Sequence, residues 1–273
     1  MSLSIRTNVA SLNAQRNLSQ TQNLLESSMS HLSSGMRITK ASDDAAGLGI
    51  SVNLEAQVRS YNQAARNAND GISVVQTAEG ALNEVTNILS RLRELAMQSA
   101  SDGVSDRSSI TTEANQLVSE LDRIGSTTEF NNTKLLDGSA NLNFQVGIRN
   151  GAGNTIGIDL TGVTISSAAL TIDGIDLSAA TSSSTALTDI DNALNAVSQA
   201  RGTLGSYGNR FQSVVNTVQT ASESLSAADS RIRDVDVAAE TANLSRAQIL
   251  TQAGISVLAQ ANQAPQMALK LLG

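Results

Sequence analysis

The chain has 273 residues, a formal charge of −7 and a pI near 4.7, and it is 40% hydrophobic but only 2% aromatic, with no Cys and one Pro. The acidity argues against a general affinity for nucleic acid or an anionic membrane, and the lack of Cys excludes disulfides and thiolate chemistry. A core without Trp must be built from Leu, Val, Ile and Ala, which suits helices packed along their length.

The N-terminal stretch Met1-Ser-Leu-Ser-Ile-Arg lacks the basic start and apolar core of a cleaved secretory signal. No apolar run is long enough to cross a bilayer. On these features alone the chain reads as a soluble cytoplasmic protein, with export by a route that needs no cleaved signal left open.

Over residues 4–33 apolar side chains stand at Ile5, Val9, Leu12, Leu18, Leu25, Met29 and Leu32, with Ser, Asn and Gln between them. Steps of three, four and seven mark one narrow helical face. Such a helix is marginal in water and needs a partner. Gly35 breaks it, and Asp43-Asp44 before Ala45-Ala46 read as a helix start. The strongest periodicity follows at Tyr61, Ala65, Ala68, Ile72, Val75, Ala78, Leu82, Val85, Leu89, Leu92 and Ala96, a heptad seam that ends near Gly103. A third helix is expected from about Ser105 to Ile124.

From Phe130 to about Ser184 the pattern changes. Asn131-Asn132, Asp137-Gly138, Asn150-Gly151 and Asp173-Gly174 are turn signals. Alternation at Leu142, Phe144, Val146 and Ile148, and at Ile156, Ile158 and Leu160, predicts short hairpins. Thr171-Ile172, Gly174 and Ile175 suggest a weaker strand–turn–strand. The stretch Ala179–Thr185, which includes Ser182–Ser184, reads as a flexible loop.

Helix returns at Leu187, Ile190, Leu194, Val197, Leu204, Phe211, Val215, Val218 and Leu225 on a seven-residue grid. After Asp229 a last helix carries Leu250, Gly254, Val257, Ala261, Ala264, Ala268 and Leu271. The expected fold is therefore mainly α. It is a long antiparallel helical bundle or coiled coil with a small β-hairpin insert, and its N- and C-terminal helices pair with each other.

No constellation for catalysis or metal binding emerges. The only histidine is His31, so neither a zinc motif nor an oriented nucleophile–base pair can be assembled. His31 reads as a solvated or interface residue. Asp43-Asp44 are adjacent on a helix and point apart, which favours capping over paired-acid chemistry. Asp234 and Asp236 read as solvated or salt-bridged. The glycines at Gly147, Gly151, Gly153, Gly202 and Gly205 lack the strand–loop–helix context of a phosphate loop. No cofactor is expected, and no enzymatic role. The thin apolar faces of the two terminal segments remain as the unusual feature, and they fit an interface that forms on assembly.

Several ordered motifs resemble the bacterial flagellins. They are Ser4-Ile-Arg-Thr-Asn-Val-Ala-Ser-Leu-Asn-Ala-Gln, Leu32-Ser-Ser-Gly-Met-Arg, Arg91-Leu-Arg-Glu-Leu-Ala, Phe130-Asn-Asn-Thr-Lys-Leu-Leu-Asp-Gly, Gly205-Ser-Tyr-Gly-Asn-Arg-Phe and Val257-Leu-Ala-Gln-Ala-Asn-Gln-Ala-Pro-Gln-Met. With about fifty residues between its helical halves, the chain looks like a short member without variable outer domains. The resemblance implies a structural subunit of the extracellular flagellar filament that serves swimming motility and is exported unfolded by the flagellar type III apparatus. It implies that residues 1–42 with 229–273 form an inner-tube coiled coil, and that 43–228 form an outer-tube helical domain with hairpins at about 130–184.

The self-assembly residues so implied are Ile5, Val9, Leu12, Leu25, Leu32, Leu250, Val257, Ala261, Ala264 and Leu271. The implied partners are further copies of the chain, an export chaperone, the filament cap and hook-associated proteins, with no nucleic acid and no membrane insertion. Arg91, Leu95 and Glu113 match positions read by Toll-like receptor 5 in many flagellins. The alternative reading is a hook–filament junction protein, which shares the helical ends.

Overall fold

The structure, a computed structural model, describes residues 7–103 and 106–272, with side chains described up to residue 263. The described chain is mainly α-helical, in the order α1 (Val9–Ser34), α2 (Ala45–Ser99), α3 (Ser108–Thr127), four short strands, α4 (Ala180–Arg233) and α5 (Val237–Leu272). It divides into two compact units. One is Met1–Ala56 with Ser224–Gly273 and the other is Gln57–Glu223, so α2 and α4 each contribute to both.

The central unit holds the large core. Ala68, Val75, Ala78, Leu82, Val85, Leu89 and Leu92 of α2 are buried at steps of three, four and seven. Ala186, Ile190, Ala193, Val197, Ala200, Leu204, Phe211 and Val215 of α4 follow the same rhythm and belong to the same cluster. Contacts at Asn62–Ser222 and Arg93–Asp191 show that the two helices run antiparallel. Helix α3 adds Ile110, Ala114 and Leu121 to the core. Each fully buried Leu, Ile or Val contributes about 1.5–3 kcal/mol, so this unit supplies its own stability.

Strands β1 (Glu129–Phe130) and β2 (Thr133–Lys134) form a tight hairpin. Its two central residues, Asn131 and Asn132, have φ of 49° and 63°, the left-handed pair that such a turn demands and Asn tolerates. Strands β3 (Asn141–Gln145) and β4 (Thr155–Asp159) pair antiparallel, with Phe144 opposite Ile156 and Leu142 opposite Ile158. Phe144 meets the fully buried Phe211 edge to face at 5.5 Å.

Three local expectations are corrected. No strand pair forms at Thr171–Ile175. There Ile172 is buried and Thr171 takes a φ of 58°, so the segment packs by its side chains and turns without a ladder. Ile148 lies beyond the end of β3. Ala180–Thr185 is the first turn and a half of α4, not a loop. Ser183 falls three residues before the buried Ala186, is itself buried, and donates its hydroxyl to the Ala179 carbonyl at 2.8 Å.

Helix α3 and the irregular segment after β4 meet at one close approach. Asp122 accepts hydrogen bonds from the Ser167 backbone N–H at 2.6 Å and from its hydroxyl at 2.8 Å. One turn further on, a Cβ at Gly125 would lie 1.7 Å from the Ile165 carbonyl oxygen. A Gly80 Cβ on α2 would meet open space. Helix propensity alone favours alanine at both sites by about 1 kcal/mol. Gly80→Ala is expected to stabilise by up to about that amount, while Gly125→Ala destabilises by about 1–3 kcal/mol through forced backbone movement. Urea denaturation of the two variants checks the opposite signs.

Candidate self-assembly surface

The terminal unit is built on α1 and α5. Asn8 caps α1 by accepting the Ser11 backbone N–H at 3.1 Å, and Gly35 ends the helix in the left-handed conformation at φ 71°. Asp236 begins α5 by accepting the backbone N–H groups of Ala238 and Ala239. Asp234 accepts the Ser230 hydroxyl. Both acids are exposed, as expected of solvated residues, and they add capping and local hydrogen bonding to that reading. Asp44 caps α2 in the expected way, taking the Gly47 N–H at 2.8 Å. The two breaks in the helices are laced together, with Arg37 N–H on the Arg233 carbonyl at 2.6 Å and Val235 N–H on the Gly35 carbonyl at 3.0 Å.

Helices α1 and α5 pair antiparallel. Asn8 Nδ2 donates to the Ala261 carbonyl at 2.8 Å, Ser11 Oγ lies 2.8 Å from Asn262 Oδ1, and His31 faces Glu240. Apart from His31 at the Glu240 end, the least exposed positions of α1 are Ser11, Ala14, Leu18, Thr21, Leu25, Ser28 and Leu32. Those of α5 are Glu240, Leu244, Ala247, Thr251, Gly254, Leu258 and Ala261. Both sets step strictly by three and four, which is the seam of a coiled coil. Small residues hold it close: a Cβ on Gly254 would meet Leu18 Cδ1 at 3.2 Å. Among these seam residues only Ala14, Ser28 and Ala247 are fully buried.

The residues singled out from sequence divide over this surface. Leu25, Leu32 and Ala261 lie on the seam. Val9 and Leu12 are 58% and 51% exposed, and Leu250 and Val257 are 48% and 55% exposed. Leu24, Met29, Ile249 and Ile255 are exposed with them. Ile5 and the side chains of Ala264 and Leu271 lie outside the described residues. The pair therefore carries more large apolar side chains outside its seam than within it, and large apolar side chains left in water gain from burial against another surface.

In the central unit, Arg91 on α2 bridges Glu94 at 2.9 Å and Glu113 of α3 at 2.8 Å. All three side chains of this cluster are open to solvent, whereas Leu95 is only 2% exposed and belongs to the core. The structure thus joins Arg91 to Glu113 and separates Leu95 from the surface.

His31 stands in the terminal unit between two carboxylates, Nε2 3.9 Å from Asp43 and Nδ1 3.6 Å from Glu240. A cation needs its donors to converge on one point, and these two carboxylates face opposite nitrogens of the ring. Among the described residues no group of three His, Cys, Asp or Glu side chains is arranged to hold a metal. Sequence periodicity misses Ser28 and Glu240 at this junction, because a buried hydroxyl and a shielded carboxylate give no apolar signal.

Residues 5–141 match a family model described as the bacterial flagellin N-terminal helical region, and residues 187–272 match the bacterial flagellin C-terminal helical region. A flagellin of Halalkalibacterium halodurans is 45% identical over 98% of this chain and 99% of its own length. A flagellar filament 33 kDa core protein of Treponema phagedenis is 38% identical over 98% of this chain and 99% of its own. The crystal structure of Bacillus cereus flagellin is 29% identical, with a TM-score of 0.48 over 56% of this chain and 88% of that one.

Two acids tie the terminal unit to pH, Glu240 across the α1–α5 junction and Asp43 in the turn after α1. Glu240 is held below its ordinary range first by the Ser28 hydroxyl, and Asp43 first by the backbone N–H groups of Lys40 and Thr39. A carboxyl whose folded value is lowered contributes stability above its unfolded value and loses it as pH falls through the folded one. With ordinary values of 4.5 and 3.8 for these two groups, the terminal pairing is expected to hold at neutral pH and weaken below pH 4.5. Thermal melts followed by helical circular dichroism across that range check this. The combined Glu240→Gln and Asp43→Asn variant should show a flatter acid limb.

Proposed function

The chain belongs to the bacterial flagellin family, and we propose that it acts by polymerising through the exposed apolar faces of α1 and α5 into the flagellar filament. It is a structural subunit of that filament. The observation that carries the assembly reading is the imbalance within the terminal pair. Leu12, Ile249, Leu250, Ile255 and Val257 stay largely in water while the seam itself is filled mostly by Ala, Ser, Thr and Gly. Complete burial of each large side chain against a neighbouring copy contributes about 1.5–3 kcal/mol. A surface that meets a different surface on the next copy and does not close gives a helical polymer.

In this reading residues 1–42 and 229–273 form the inner tube and residues 43–228 the outer tube. The thin packing of the terminal unit and the full packing of the central unit support it. The role is structural and not catalytic, as the family is structural. Its site of action is the extracellular filament, reached by type III export of the unfolded chain. An export chaperone, the filament cap and the hook-associated proteins are its further partners. The matched family regions and the named relatives give the hook–filament junction alternative no observation in its favour. We extend the reading to Toll-like receptor 5, with Arg91 and Glu113 as surface contacts and Leu95 as the core residue that fixes the helix beneath Arg91.

Leu250→Asp and Val257→Asp place a charge on a face the monomer leaves in water. Each is expected to change monomer stability by less than about 0.5 kcal/mol, while elongation from filament seeds fails by light scattering and electron microscopy. Normal filaments from both variants would sink the assembly surface. For the receptor, purified monomer should activate a reporter cell line and Arg91→Ala should weaken the signal at unchanged helical content. A silent wild-type monomer ends that part of the reading.

A further inference from the structure

We propose that Asn150–Gly151, in the loop between β3 and β4, is a self-modification site at which the folded chain converts Asn150 into a mixture of aspartate and isoaspartate. The dipeptide is the only Asn-Gly in the sequence. Both residues are exposed, and neither lies in a helix or strand. Gly151 has a φ of 138°, a conformation that side-chain-bearing residues rarely adopt, so no Cβ shields its nitrogen.

The reaction needs the Gly151 backbone nitrogen free to attack the Asn150 side-chain carbonyl carbon. The hydrogen bonds that shape the loop leave both groups unused. Gln145 Nε2 donates to the Gly147 and Arg149 carbonyls at 2.7 and 2.9 Å. Asn154 N–H donates to the Gly151 carbonyl at 2.9 Å, and Val146 N–H to the Asn154 carbonyl at 2.8 Å. Among the described residues, neither the Gly151 N–H nor the Asn150 amide has a partner. The loop is thus held by its carbonyls and its flanks, while the attacking nitrogen and the amide it attacks remain free to meet.

The atoms balance without any reagent beyond water. The Gly151 nitrogen loses its proton to solvent base and bonds to Asn150 Cγ, and the side-chain amide leaves as ammonia. The resulting succinimide takes up one water at either carbonyl. Opening at one side gives aspartate with the original backbone. Opening at the other gives isoaspartate, which routes the main chain through the former side chain. Either product adds one negative charge to a chain of formal charge −7, beside Arg149.

The other asparagines of this region are placed differently. Asn141 and Asn143 are locked in the β3–β4 ladder, and Asn154 precedes the β-branched Thr155. Asn131 and Asn132 occupy the tight β1–β2 turn and are followed by residues with side chains. Most of the remainder lie within helices, where the next backbone N–H is committed to the ladder.

The test is incubation of the full, folded chain at mildly alkaline pH, followed by peptide mapping by mass spectrometry and an isoaspartate assay. The expected result is selective loss of the Asn150 amide, with isoaspartate exceeding aspartate and slower reaction at mildly acidic pH. Because the loop is open, the rate should lie within about tenfold of that in the urea-unfolded chain. Asn150→Gln should keep the fold by circular dichroism and abolish the product. The proposal is overturned if the folded chain retains Asn150 while the unfolded chain loses it. Conversion to aspartate without isoaspartate overturns it equally, because that outcome bypasses the Gly151 nitrogen.

Discussion

The contact on which the terminal unit depends is the narrow seam between α1 and α5. Ser11, Ala14, Thr21 and Ser28 meet Ala247, Thr251, Gly254 and Ala261 across it, with Leu18, Leu25, Leu32, Leu244 and Leu258 as the only large apolar side chains. Removing small side chains from water yields little free energy compared with the Leu- and Val-filled seam of the central unit. Ordering each backbone residue costs about 1–2 kcal/mol. A pair so constructed gains from any further burial, and its remaining large apolar residues face outward, where another chain can supply it. The filament role follows from this imbalance between the two units more directly than from any single residue.

The heptads of the central unit are plain in the sequence, because Val75, Leu82, Val85, Leu89 and Leu92 are both large and periodic. The first helix is legible as helix but not in its facing. Periodicity weights large apolar residues, so it places Val9, Leu12 and Met29 on one stripe with Leu18 and Leu25. The structure turns the stripe toward Ser11, Ala14, Thr21 and Ser28 and leaves Val9, Leu12 and Met29 exposed. In α5 the same weighting selects Leu250 and Val257, which flank the seam, over Ala247, Thr251 and Leu258, which form it. Where a seam is built of small residues, hydrophobicity points to its shoulders.

Composition misleads in the same direction at Ala180–Thr185. A run of Ser, Thr and Ala resembles a linker, yet its hydroxyls can bond back to the preceding turn and its small size permits burial. Ser183 does both. Asp236 is a surface acid, but its capping role is hidden when helix α5 is taken to begin near Asp229, because that start hides the break Asp236 caps. The hairpin turn is more legible, since Asn131-Asn132 carries its geometry in the residue type itself.

The polar seam is tolerable because its hydroxyls are satisfied, the two threonines inside their own helices and Ser11 and Ser28 across to α5. Thr21 Oγ1 donates to the Asn17 carbonyl and Thr251 Oγ1 to the Ala247 carbonyl, each at 2.8 Å. Buried hydroxyls without partners would cost about 1–3 kcal/mol each and would break so weak a pair. Bonded backward, the two threonines bring no demand on the opposite helix and little cohesion to it. Specific cross-helix polar contacts then sit at the two ends, through Asn8 and Ser11 at one and through Ser28 and His31 on Glu240 at the other. Register is fixed at the ends while strength along the middle stays low, so the outward faces of Ile249, Leu250, Ile255 and Val257 can decide whether the helices are stably held.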